Sequence, residues 1–106
     1  MAYTHSTITL TGAAQQLIAN ITPAQNIPIR EISFQEDGSN GAAVFIGSSS
    51  GVTTADYGIR IPVPVTNVPA APVRLGPYAT SGPIKLGDFW VIGTAAQKLH
   101  VSYVPF

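Results

Sequence analysis

Cysteine is missing altogether from this 106-residue chain. That excludes disulfides, thiolate metal sites and a cysteine nucleophile. Charge is almost as scarce: Asp, Glu, Lys and Arg make up 9% of the residues, against roughly 25% in an ordinary soluble domain. Five acids balance five bases, for a formal net charge of +0. Little repulsion keeps such copies apart, so the surface reads as one committed to neighbours. Arg30, Arg60, Arg74, Lys85 and Lys98 are scattered singly, which argues against the clustered phosphate contacts of a nucleic-acid partner. No apolar run approaches the roughly 20 residues of a membrane helix, so no membrane partner is expected. The opening Met1-Ala2-Tyr3-Thr4-His5 lacks both the basic and the apolar region of a signal peptide. Only two histidines occur, His5 and His100. Without a third soft ligand no zinc site is expected, and no cofactor.

What is present is apolar and punctuated. Hydrophobic residues make up 45% of the chain, enough for one packed core, so residues 1–106 read as a single domain. Proline and glycine recur after residue 20, and apolar residues alternate at period two, as strands do. Ile8 and Leu10 alternate with threonines in a strand that ends at Gly12. Residues 13–23 fit either one helical turn or a strand over Ile18–Ile21. Ile32 and Phe34 share one face of a third strand. The turn Glu36-Asp37-Gly38-Ser39-Asn40-Gly41 then reads as a hairpin into a fourth strand, Ala43 to Gly47. It also opens like a calcium loop, but the closing acid is missing.

Ile59, Ile61 and Val63 alternate with Arg60, Pro62 and Pro64. Prolines at every second position remove N–H donors, so this stretch belongs at a sheet edge or in an extended arm. Residues 61–83 continue as an extended, proline-rich segment laid along a surface. At the C-terminal end Leu99, Val101 and Tyr103 alternate with His100, Ser102 and Val104. Trp90, inside the apolar run Phe89–Gly93, is expected to pack inward rather than form a sugar-stacking platform with Tyr57, Tyr78 and Tyr103. The whole pattern predicts an all-β fold, an antiparallel β-sandwich or small jelly-roll-like barrel.

Gly47-Ser48-Ser49-Ser50-Gly51 matches the G-x-S-x-G string of a nucleophile elbow, with Asp56, Asp88 and His100 downstream. An elbow leads from a strand into a helix. Here Val52-Thr53-Thr54 follows, and these β-branched residues start no helix. The chain is also too short for a large parallel sheet with its crossovers. The serines therefore read as a loop between strands, Asp88 as the start of a strand or the acceptor of a turn N–H, and His100 as exposed on a terminal strand. No catalytic residues are assigned, and no enzyme is expected.

The layout of Val44 to Gly47, Val52 to Thr54, Gly58 to Pro62, Phe89 to Gly93 and Leu99 to Tyr103 resembles a motif of small structural proteins of tailed bacteriophages. The proline-rich stretch Pro62 to Pro83 is longer than that pattern has. The resemblance implies a β-sandwich virion protein made in the host cytoplasm, foremost a capsid decoration (cement) protein on the head surface. Its partners would be the major capsid protein and itself, as a homotrimer. The expected contact residues are Ala2, Tyr3, Thr4 and His5, in an N-terminal arm over residues 1–7. With them come Ile61, Pro62, Val63, Pro64, Val65, Val68, Pro69, Pro72, Val73 and Leu75 in the proline-rich segment. A head–tail, tail or fibre component shares every one of these features. A carbohydrate-binding β-sandwich is the rival from another class, and it requires Trp90 or the tyrosines to lie exposed in a row.

Overall fold

Alternation becomes strand along most of the chain. The computed structural model describes residues 4–21, 26–38, 41–65, 70–79 and 84–106. Within these are eight strands: β1 (Thr4–Thr9), β2 (Gln15–Gln16), β3 (Ile29–Glu36), β4 (Val44–Gly47), β5 (Ile59–Ile61), β6 (Val73–Leu75), β7 (Trp90–Ile92) and β8 (Lys98–Pro105). Two three-residue 3-10 turns, Ile18–Asn20 and Leu86–Asp88, complete the list. All described pairings are antiparallel.

One sheet, here A, has the order β1-β8-β3-β6; the other, B, has β2-β7-β4-β5. The pairs β4–β5, β3–β6, β2–β7 and β1–β8 are those of one long hairpin, β1 to β4 running out and β5 to β8 running back. Rolling that ribbon up adds the pairs β3–β8 and β4–β7 and yields a jelly roll. Only the β4–β5 connection therefore stays within a sheet. The turn after β3, expected to be a hairpin, instead carries the chain from sheet A to sheet B. Its residues 39–40 lie outside the described part.

Apolar residues from both inner faces fill the space between the sheets, as a sandwich requires. Ile32, Phe34, Leu99 and Val101 from sheet A meet Val44, Ile46, Ile61 and Val91 from sheet B, all buried. Phe34 lies edge-on to Phe89 at 5.6 Å, joining the two layers. Gly76, just past β6, has φ +98°, and a Cβ there would stand 2.5 Å from the Arg30 carbonyl oxygen. Only glycine fits both restraints.

Three elements differ from the sequence expectation. Residues 13–23 form neither a helix turn at their start nor a strand at 18–21. The strand is Gln15–Gln16, and a 3-10 turn occupies Ile18–Asn20. The expected N-terminal arm is, in its described part, the edge strand β1, held to β8 from Thr4 to Thr9. In the proline-rich segment, expected as extended chain laid along a surface, Ala70 is buried and Val73–Leu75 form a strand paired with β3, while residues 66–69 and 80–83 lie outside the described part. The edge expectation for Ile59–Ile61 is met, since β5 ends where the prolines begin.

Candidate functional site

The serine string forms the tip of the β4–β5 hairpin. Gly58 N–H donates to Ile46 O (2.8 Å) and closes the loop at its base. Val52 N–H donates to Ser49 O (3.2 Å), and Gly51 N–H to Ser49 Oγ (3.2 Å). Thr53 Oγ1 accepts from the N–H groups of Ala55 (3.2 Å) and Asp56 (2.8 Å). Val52 turns inward over Gly47, whose missing Cβ would lie 2.6 Å from it. The loop thus satisfies much of its own backbone and holds a fixed shape.

Between this loop and the second 3-10 turn lies an open cavity of about 500 Å³. Ile46, Val52, Ile59, Ile84 and Phe89 give it apolar walls; Ser48, Ser49, Asp56 and Asp88 supply the polar lining, and Tyr57 borders it. Asp88 accepts the Lys85 N–H on Oδ2 (2.8 Å), which caps its own turn. The fold therefore brings Ser49 and Asp88 to one cavity, a proximity that their separation in sequence conceals. Among the described residues no cationic side chain lines it.

His100 sits elsewhere, on β8 of sheet A, with its side chain 44% exposed. Nδ1 lies 3.0 Å from Thr7 Oγ1 and Nε2 lies 2.8 Å from Asp37 Oδ1. Cross-strand register puts Thr7 opposite His100, so these contacts knit β1, β8 and the end of β3 together. Glu36, the first acid of the calcium-like turn, is 3% exposed and belongs to the interior.

Trp90 is turned the other way from the expectation. Phe89 and Val91 are buried, so strand alternation sends Trp90 and Ile92 to the outer face of sheet B, where both are half-buried. Phe45 shares that face, opposite Ile92 and Arg60, and packs against Tyr57 at 4.7 Å between ring centroids. An unbroken apolar run carries no alternation from which its inward residues could be read.

The expected contact residues fall into two groups. Thr4 and His5 lie on β1, one edge of sheet A, while Val73 and Leu75 lie on β6, its opposite edge. Ile61 is fully buried in the core, so it is withdrawn from any contact surface. Its neighbours Pro62, Val63 and Pro64 are half-buried, and Pro72 is exposed. Val65 is 64% exposed, the largest exposure of any big apolar side chain described. Ala2, Tyr3, Val68 and Pro69 lie outside the described residues.

Comparison with family models, with curated proteins and with solved structures finds no match to this chain.

Proposed function

We propose that this protein is a structural subunit of a tailed-bacteriophage virion, a capsid decoration protein that bridges major capsid proteins on the head. The observation that carries the reading is the apolar stretch beyond edge strand β5, where Pro62, Val63 and Pro64 are half-buried and Val65 is 64% exposed, on a domain whose residues are only 9% charged. Apolar, proline-stiffened chain loses little entropy when ordered on a neighbour. Binding surfaces on two opposite edges of sheet A would let one subunit touch two partners. A jelly roll also suits this role, being the architecture of many viral capsid domains, though that support is analogy of fold.

Val65→Asp tests the reading. Placing a charge in a desolvated contact should weaken binding of the purified protein to heads lacking it about tenfold or more, with the circular dichroism spectrum unchanged. Undiminished binding by the folded variant overturns the assignment of this segment. Labelling of purified heads and tails separates decoration from a tail or fibre role. The outer face of sheet B, with Trp90, Phe45 and Tyr57, is the specific feature favouring a carbohydrate-binding module instead. A saturable shift of Trp90 fluorescence with oligosaccharide would favour that alternative.

A further inference from the structure

Each sheet has two edges, and three of the four are guarded. β2 is two residues long. β5 is three residues long, carries Arg60 and runs into Pro62 and Pro64. β6 is three residues long, carries Arg74 and follows Pro72. Short length, charge and proline are the devices that keep sheet edges from pairing. β1 has none of them: Thr4-His5-Ser6-Thr7-Ile8-Thr9 is six residues without proline or formal charge.

The register shows which groups β1 presents. Leu10 N–H donates to Gln97 O (2.8 Å), while Ala96 N–H donates to Leu10 O (2.9 Å). With Leu10 directed at β8, the β1–β8 register directs Ile8, Ser6 and Thr4 there too. The backbone groups of Thr9, Thr7 and His5 then point away from the sheet. Thr9 confirms the phase, because its carbonyl accepts from Gln15 Nε2 (3.3 Å), and Gln15 Oε1 accepts from Thr11 N–H (3.0 Å). The Gln15 amide stands in for a neighbouring strand at that end. Among the described residues nothing does the same for His5 and Thr7.

We propose that β1 is a self-association edge: two copies join their β1 strands antiparallel about a two-fold axis at Ser6, fusing two A sheets into one of eight strands. This register sets His5 opposite Thr7 of the other copy, and Thr7 opposite His5, so the outward backbone groups of His5 and Thr7 on both edges are all paired. Centring on His5 or on Thr7 would leave some of them unmatched or direct them at the carbonyl that Gln15 occupies. A second copy is the fitting occupant because the edge complements itself, and a chain of net charge +0 meets its twin without repulsion. The pair stands without the virion reading; where both hold, the β1 edge meets the second copy and the β6 edge meets the capsid, and the dimer replaces the trimer that the family resemblance implies.

Sedimentation and native mass measurement of the intact protein should show a reversible dimer, weak because edge pairing buries less than a standard interface. His5→Pro removes one outward N–H without touching the β1–β8 bonds and should weaken dimerisation about tenfold or more. Ser6→Cys provides a second test in a chain with no cysteine of its own. Across the axis the two Cα atoms would stand about 4.5 Å apart, within disulfide range. Mild oxidation should therefore link Ser6→Cys much faster than Thr54→Cys, on the exposed hairpin loop. A monomer or trimer at every concentration, unchanged dimerisation of folded His5→Pro, or equal cross-linking of the two cysteine variants overturns the proposal.

Discussion

Individual residues in this sandwich are sorted by which way their backbone turns them. Leu99, Val101 and Tyr103 are buried because each is flanked by a more polar or outward neighbour, and that alternation is readable. Trp90 has apolar neighbours on both sides, so size alone argued for the core, and the pleat decided otherwise. Two substitutions measure the difference. Phe34→Ala, at a fully buried position against Phe89, should cost about 3–5 kcal/mol in urea unfolding. Trp90→Ala removes a larger side chain from a half-buried outer position and should cost less than about 2 kcal/mol. Equal losses would contradict the outward placement.

Among the elements, strands were legible where apolar and polar residues alternate over several positions, as in β1, β3 and β8. They were least legible where they are two or three residues long. β2 and β6 have no pattern of their own and exist because a neighbour offers hydrogen bonds at the right place. The Gly38 turn misled for a different reason. Its chemistry specifies a reversal of the chain, but not whether the next strand joins the same sheet. β1 carries the clearest consequence. Deleting residues 2–7 would remove most of a strand that pairs with β8 from Thr4 onward. The truncated chain should lose several kcal/mol of stability, through both the exposed β8 edge and the unsupported Ile8. Thermal melting would report this as a lowered Tm, whereas a detachable arm would leave the Tm unchanged.

For the molecule as a whole, composition had already determined much. An 11.1 kDa chain with 9% charged residues has few electrostatic handles, and those described are local. Arg74 pairs with Glu31 at 2.7 Å, and Arg30 lies over the Phe106 ring at 4.7 Å. Association with a partner should therefore rest on apolar and backbone contacts. Its affinity should change by less than about threefold between about 50 and 500 mM salt, as read by co-sedimentation. A steep loss would point to charged contacts. The all-β class followed from alternation and punctuation, but the winding did not, because local sequence does not encode distant pairing. The cavity was hidden for the same reason: Ser49 and Asp88 meet only once the ribbon has rolled.

That rolled ribbon also governs how the chain must find its structure. Thr4 pairs with Tyr103, and Thr9 with Lys98, so β1 can dock only after residues 98–103 have been made. Among the described strand pairs β4–β5 has the shortest connection, residues 48–58, and it is the natural place for ordering to begin. From there pairing can spread outward in both directions, β3 with β6, then β2 with β7, and β1 with β8 last. The sequence "GSSSGVTTADYG" would then be the point at which folding starts.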